Sequence, residues 1–330
     1  MSATPTVLAA PLTPDQREML AWLDRRVSQL LAAHPGSVIT RIGRTPLLPL
    51  PSPRLDIALW AKLEGRNPSG SLKDRIVLYL IAEALELGRL GPGVTLIEGT
   101  SGNTGIALAM IGAVLHYPVT IFMPANVSEE RRHLIAAYGA KVELTPAERG
   151  TDGAVEAARA LSQDPAYCWL AQHENPVNAW AHYLTTGAEI LEQCPQINYF
   201  IAPSGTTGTL MGVSRRLKET NPDIEVIAVW PEEWIMGLRR PEGEARPAIY
   251  DERRIDRVIE ISDAEAKAGA RELARSQGLL LGPSSGAAWR AALKLAKETR
   301  ERRRKANIVI CLPDEGARYL STDTFSRRRS

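Results

Sequence analysis

Cysteine is scarce in this chain. Cys168, Cys194 and Cys311 are three, an odd number spread far apart. There is no C-x-x-C pair and no Cys/His cluster at metal-ligand spacing, so neither a disulfide framework nor a metal site is expected, and a reducing, cytoplasmic setting is. Long apolar runs are missing, which excludes a bilayer-spanning helix. The N-terminus lacks the basic start and apolar core of a secretory leader. Charge of one sign is lacking as well: 40 Lys and Arg stand against 38 Asp and Glu, for a net charge of +2. That balance argues neither for nor against acidic partners. The basic runs at 302–305 and 327–329 read as a solvated helix end and a tail rather than a nucleic-acid site. Neither G-x-G-x-x-G nor a P-loop occurs, and there is no short-period repeat or low-complexity linker.

What is present is ordinary globular material: 330 residues, 44% hydrophobic and 24% charged, enough for two lobes with their own cores. Residues 1–36 read as an N-terminal helical extension. Thr13-Pro-Asp-Gln16 is a helix start with a hydroxyl cap, Pro at the first helical position and Gln at the capping-box position. Met19, Leu20, Leu23, Val27, Leu30 and Leu31 then recur at helical spacing, and His34-Pro35-Gly36 stops the run. That stripe must pack on the body or on a second subunit. From about residue 40 strands alternate with helices. Strands are expected at 57–63, 94–98, 119–123, 141–144, 199–202, 224–230, 279–281 and 308–311. Helices are expected from 71 to 87, 103 to 115, 128 to 138, 152 to 161 and 207 to 219, and from about 264 and 285 onward. Such alternation means parallel sheets flanked by helices. The units group into an N-terminal α/β lobe, 37–178, and a C-terminal α/β lobe, 179–330, with the early strand near 55–63 a candidate to cross between them. The stretch 230–257 has no clear periodicity, as functional or mobile loops often do not.

Four polar stretches carry the chemistry: Asn67-Pro-Ser-Gly-Ser-Leu-Lys73-Asp-Arg75, Thr100-Ser-Gly-Asn-Thr-Gly105, Gly205-Thr-Thr-Gly-Thr209 and Gly282-Pro-Ser-Ser-Gly286. Each brings hydroxyls, amides or bare glycine backbone to a helix start, where unpaired amides and the helix dipole favour anions. Gly205–Thr209 reads as a phosphate cup, although Gly/Thr turns are common in α/β proteins. Thr100–Gly105 offers enough neutral donors to wrap a carboxylate; a helix cap alone needs only one such hydroxyl. Most lysines are solvated. Lys73, however, follows a rigid turn at a helix start, where a cleft and the dipole would disfavour its charged form. A neutral amine is what a Schiff base requires. A small phosphorylated cofactor, a carboxylate substrate and one reactive amine are therefore expected.

In this order the four stretches resemble fold-type II pyridoxal-phosphate enzymes, and more narrowly the cysteine synthase family (O-acetylserine sulfhydrylase and its relatives). Arg44-Thr-Pro-Leu47, Lys62-Leu-Glu-Gly65, Glu129-Glu-Arg-Arg132 and Arg318-Tyr-Leu-Ser-Thr322 extend the similarity from about residue 38 to 323. The resemblance implies a two-lobed fold like that of the tryptophan synthase β subunit, each lobe an open, mostly parallel sheet flanked by helices. It implies pyridoxal 5'-phosphate held covalently by Lys73. Asn103 would meet the ring 3-oxygen, Gly205, Thr206, Thr207, Gly208 and Thr209 the phosphate, and Ser284 the pyridine nitrogen. Thr100, Ser101, Thr104 and Gln172 would grip the substrate α-carboxylate, Gln172 through a Gln-x-x-Asn-Pro stretch that ends at Pro176. The implied activity is β-replacement through an α-aminoacrylate, making L-cysteine from O-acetyl- or O-phospho-L-serine and sulfide. A homodimer is implied, with an amino-acid substrate and a sulfur nucleophile as small-molecule partners and no nucleic acid or membrane; whether a serine acetyltransferase binds is left open. His173 tempts as an acid–base group, but the family needs none there.

Gly205-Thr-Thr-Gly208 and Ile235-Met-Gly-Leu-Arg-Arg240 resemble the B-type enzymes more than the A-type. Arg239, with Arg240 as fallback, is the candidate to meet a phosphoryl leaving group or a bulkier anionic nucleophile; a surface arginine on a loop is the plain alternative. Trp234, Pro283 and the stretch after Cys311 depart from the commoner patterns. They would reshape the second-substrate pocket, and the unusual loop and N-terminal helix keep open another nucleophile, such as thiosulfate, homocysteine or ammonia. A non-catalytic cofactor-binding homologue is the remaining alternative, and the intact Lys73 argues against it.

Overall fold

The computed structural model describes residues 12–243, 246–298 and 306–325, so the basic runs at 302–305 and 327–329 lie outside the described residues. Among the described residues ten strands form two sheets. The smaller holds β3 (Thr95–Gly99), β4 (Val119–Pro124), β5 (Lys141–Thr145) and β6 (Tyr167–Trp169) in the order β5-β4-β3-β6, all parallel. The larger holds β1 (Leu47–Leu50), β2 (Ile57–Leu63), β7 (Tyr199–Pro203), β8 (Glu225–Pro231), β9 (Arg257–Ile261) and β10 (Ala306–Leu312) in the order β1-β2-β10-β7-β8-β9. It is parallel except where β1 runs antiparallel to β2 at one edge. Pro49 is tolerated there because an edge strand need not donate on its outer side. No described helix is long and apolar enough to cross a membrane.

The helices are α1 (Pro14–Ala33), α2 (Lys73–Glu86), α3 (Asn103–Leu115), α4 (Glu129–Ala137), α5 (Gly150–Leu161), α6 (Val177–His182), α7 (Ala188–Gln193), α8 (Gly208–Thr220), α9 (Asp263–Gln277) and α10 (Pro283–Glu298). A π-helical turn, Tyr183–Gly187, joins α6 to α7. In the larger sheet the pleat sorts side chains by period two. Tyr199, Ile201, Ile308 and Ile310 pack toward α9 and α10, and Phe200, Ala202, Val309 and Cys311 toward α8. A third core gathers α1, α2 and α3 with the smaller sheet.

Both sheets reverse direction where function is expected. The chain runs outward from β3 through β4 to β5, then returns to place β6 on β3's other side. It likewise runs from β7 through β8 to β9 and returns with β10. Loops after β3 and β7 therefore open at switch points, where neighbouring connections diverge and leave a crevice. These are the loops Thr100–Gly105 and Gly205–Thr209.

The segment expected as a strand at 279–281 makes only an isolated bridge, Leu281 to Glu315. Gly278 caps α9 in a left-handed conformation and Pro283 begins α10, so too few residues remain between two helices to form a ladder. Strands β1, β6 and β9 and the helices over 177–193 were not anticipated. At the N-terminus the capping box is present: Gln16 N–H donates to the Thr13 hydroxyl (3.2 Å) and Thr13 N–H to the Gln16 side chain (3.1 Å). Leu20, Leu23 and Val27 are buried, and Arg26 pairs with Glu86 of α2 at 2.6 Å. The stripe of α1 is thus covered by the chain's own body. Leu23→Ala, at a fully buried position, is expected to cost about 3 kcal/mol, read as a lower urea midpoint with an unchanged slope.

Candidate active site

The turn that precedes Lys73 is held from several sides. Asn67 accepts Gly43 N–H at 2.8 Å and donates to the Glu64 carboxylate at 3.1 Å, and Gly70 N–H closes on the Asn67 carbonyl at 2.8 Å. Gly70 adopts φ +84°, and a Cβ there would lie 2.2 Å from Arg318 Nη2, so only glycine fits. Asp74, in the first turn of α2, accepts both the amide (2.7 Å) and the hydroxyl of Ser69. Burial raises its carboxyl to about 6 against those stabilising bonds.

One residue further, Arg75 is fully buried and lies between two carboxylates. Its Nε and Nη2 reach Glu64 at 2.7 and 2.8 Å; its Nη1 and Nη2 reach Glu189 at 2.6 and 2.8 Å. Lys62 completes the cluster on Glu189 (2.7 Å), the Thr45 carbonyl (2.7 Å) and Gln193 (2.8 Å). Burial disfavours the Glu189 charge, but the Arg75 and Lys62 cations outweigh it and hold its carboxyl at about 2.

Lys73 itself points the other way, into a cavity of about 620 Å³ between the two sheets. Burial lowers its amine to about 8, with Cys311 and Asp314 opposing the shift. Thr100, Ser101, Asn103, Thr104, Gln172, Gly205, Thr206 and Arg239 line the same cavity. Thr207, Gly208, Thr209 and Ser284 are not on its lining. Ser284 is buried in the first turn of α10, 3.8 Å from where a Cβ on Gly237 would stand.

The cup after β7 has its own signature. Thr207 is left-handed (φ +67°) although it carries a Cβ, and its buried hydroxyl has no partner. No side chain caps α8. A Cβ on Gly208 would come within 1.9 Å of Asn178 Oδ1. Strain, an orphaned donor and open helix-N-terminal amides together suit a bound phosphate. Asn178 braces this cup, donating to Thr206 Oγ1 (3.0 Å) and to the Gln172 carbonyl (2.7 Å). His182 sits behind it between Thr209 (3.2 Å) and Thr186 (2.9 Å), its pKa pushed well down by burial.

In the loop after β3, the Thr104 hydroxyl donates to Gln172 Oε1 at 2.6 Å and Thr100 Oγ1 accepts Gly102 N–H at 3.2 Å. Asn103 is already engaged: its amide donates to Asp314 (2.7 Å), which also holds the Tyr319 hydroxyl at 2.5 Å, and its carbonyl accepts from Arg318 (2.6 Å). One amide hydrogen of Asn103 is left for a ligand. Arg239, in the loop after β8, pairs with Asp152 of α5 at 2.5 Å, and both line the cavity. Arg240 instead turns to Glu260. His173 lines the cavity with a buried, unpartnered Nδ1; burial, helped by Arg239 and Lys73, lowers its pKa to about 4 and keeps it neutral.

Asn178, His182, Asp314 and Asp152 escaped the sequence reading. Asn178 follows Asn175-Pro176 at one helical turn, a usable signal; Asp152 lies 87 positions from Arg239 and gives none.

The pyridoxal-phosphate-dependent enzyme family matches residues 38–314. Cysteine synthase from Aquifex aeolicus is 45% identical over 302 residues, covering 88% of this chain and 92% of the relative. Cysteine synthase B from Salmonella typhimurium is 44% identical over 289 residues, covering 86% and 94%. Among solved structures, cysteine synthase from Entamoeba histolytica superposes with a TM-score of 0.81 at 36% identity, covering 90% of this chain and 92% of that one. Gly208→Ala is expected to push Asn178 from the cup and weaken pyridoxal phosphate about tenfold or more, measured as loss of the bound cofactor's visible absorbance on gel filtration.

Proposed function

Since the chain belongs to the cysteine synthase family of pyridoxal-phosphate-dependent enzymes, we propose that its cavity carries out β-replacement on an O-activated L-serine, with sulfide entering to give L-cysteine. The observation that carries this reading is the meeting of Lys73, its amine brought to about 8, with the Thr100–Thr104 loop and the Gly205–Thr206 backbone in one cavity. The cup fits the cofactor's phosphate by its orphaned Thr207 hydroxyl and its open helix terminus. Gly205, Thr206, Thr207, Gly208 and Thr209 would hold that phosphate, Ser284 the ring nitrogen and Asn103 the ring oxygen, with Lys73 the covalent attachment. Bound there, the cofactor supplies the electron sink that acidifies the substrate's α-proton.

The chain's own groups supply the rest. Thr100, Ser101, Thr104 and Gln172 bind the α-carboxylate through neutral donors, which orients Cα toward the lysine. The Lys73 amine takes the proton from Cα and later returns it. Between these transfers the Cβ–O bond breaks and the leaving group departs as acetate or phosphate, and a sulfur–Cβ bond forms in its place. Closure around the carboxylate loop would exclude water from the reacting carbon. The protein works as a homodimer in the cytoplasm in this reading; three buried free cysteines are consistent with a reducing compartment.

Arg239 bears on the donor. Its partner Asp152 is mostly exposed, and an exposed pair contributes under about 1 kcal/mol, so an anionic leaving group or nucleophile entering the cavity can replace that carboxylate.

Mixing the holoenzyme with O-acetyl- or O-phospho-L-serine and sulfide, with cysteine measured, tests the reading; no cysteine from either donor would refute it. Lys73→Ala should abolish the bound cofactor's absorbance and lower turnover by about a thousandfold or more. Arg239→Ala should lower kcat/KM for O-phospho-L-serine roughly tenfold and change O-acetyl-L-serine by less than about twofold; equal losses would remove the selectivity role.

A further inference from the structure

Glu98 takes no part in the function proposed above, yet it stands two positions before Thr100 in β3 and is fully buried. Its hydrogen-bond partners are neutral: Oε1 accepts the Trp169 indole N–H at 3.0 Å and the Gly99 amide at 3.0 Å, and Oε2 accepts the Gln172 amide at 3.2 Å. A buried carboxylate served by neutral donors alone is costly, and burial raises this one to about 7. Glu174 is the charge that acts on it, and the Arg159 that pairs with Glu174 stacks over the Trp169 ring at 5.3 Å.

What Glu98 holds explains its place. The residue before Gln172, Ala171, sits at φ +55°. A side chain with a Cβ adopts that left-handed backbone only under outside constraint. Glu174 N–H and Asn175 N–H close the turn on the Ala171 carbonyl at 2.9 and 2.8 Å, and Glu98 fixes its next amide. From this one position the Gln172 side chain reaches the carboxylate loop at Thr104, and the Gln172 carbonyl reaches Asn178, whose same amide nitrogen holds Thr206 of the cup. Gln172 is the point where the two cradles are joined, and the residue before it carries the strain.

We propose that Glu98 is a positioning residue for the amino-acid donor: by accepting the Gln172 amide it holds the strained Ala171–Gln172 turn, and so keeps Gln172 and Thr104 together as one binding surface for the donor's α-carboxylate. This rests on the β-replacement reading and adds the residue that sets its donor affinity.

Glu98→Gln keeps the shape but turns an amide NH2 toward one of the N–H donors. The holoenzyme of this variant should bind L-alanine, an amino acid with no leaving group, about tenfold more weakly by calorimetry, and its donor KM should rise about tenfold. The KM for sulfide should move less than about twofold, and cofactor absorbance per protomer should stay unchanged. Glu98→Asp, which keeps the charge but withdraws it by one methylene, carries the same expectation and stands in if Glu98→Gln does not fold. Adding Ala171→Gly relieves the left-handed strain, so the double variant should recover several-fold of the lost donor affinity. Unchanged L-alanine binding in both Glu98 variants, equal losses for donor and sulfide, a fall in cofactor content, or no recovery with Ala171→Gly would each overturn the proposal. A wild-type enzyme that turns over neither donor would instead defeat the β-replacement reading itself.

Discussion

The ion cluster around Arg75 ties together parts that could otherwise slide. Lys62 comes from β2 of the larger sheet, Glu64 from the turn that follows it, Arg75 from α2 and Glu189 from α7. Two cations meet two anions, and Thr45, Asn67 and Gln193 fill remaining donor and acceptor sites. Taking such charges out of water costs several kcal/mol per ion, and only this degree of pairing offsets it. The cluster's worth lies in geometry: α2 packs with the smaller sheet, while Lys62 lies in β2 of the larger sheet and Glu64 directly after it. Removing one partner would strand a buried charge, a loss of about 3–5 kcal/mol, and would free the first turn of α2. Every distance from Lys73 to the two cradles depends on that turn.

A second constraint works between the cradles. Loops after β3 and β7 lie in different sheets, so their relative position follows from contacts that cross between lobes. Asn178 at α6 bonds both the Gln172 carbonyl and Thr206; Asp314 after β10 holds Asn103 at α3; Arg318 reaches both Asn103 and the Ser69 carbonyl. These bonds are side chain to side chain or side chain to backbone, and those of Asp314 and Arg318 each join residues more than 200 positions apart. Switch-point topology opens the crevice, and this lattice decides its width. Arg239 and Asp152 add an exposed contact across the mouth, weak enough to yield to a ligand.

Much of this arrangement was legible in the chain. The capping box at Thr13–Gln16 and the helix over 103–115 are set by local chemistry, and local chemistry is what a single sequence displays. The loops at 67–75, 100–105 and 205–209 were visible because polar and glycine residues bunched at strand ends are out of keeping with a bare connection. Strand β6 has three residues and β1 contains a proline, so periodicity had too little to act on. Placement of β2 beside β10 depends on pairing across some 250 positions, which no local pattern encodes. Glu98 and Lys62 did leave a trace: each is a charge within an otherwise apolar strand, and such charges are buried only when paired or hydrogen-bonded. Which partner each one finds is a matter of tertiary approach.

Lys73 and Arg75 show how about half a helical turn separates a cavity-facing amine from a buried, paired cation. They stand two positions apart, so they face different sides of α2. Arg75 receives two carboxylates at hydrogen-bond distance and is driven further toward its charged form. Lys73 receives none. Asp314, the carboxylate that acts on it, already serves Asn103 and Tyr319. Desolvation therefore wins at Lys73 and loses at Arg75, although both are removed from water. Had the acidic residues been shared more evenly, the Lys73 amine would hold its proton more tightly and give it up less readily. Concentrating the anions on the arginine both fixes the helix and leaves the lysine amine easier to deprotonate.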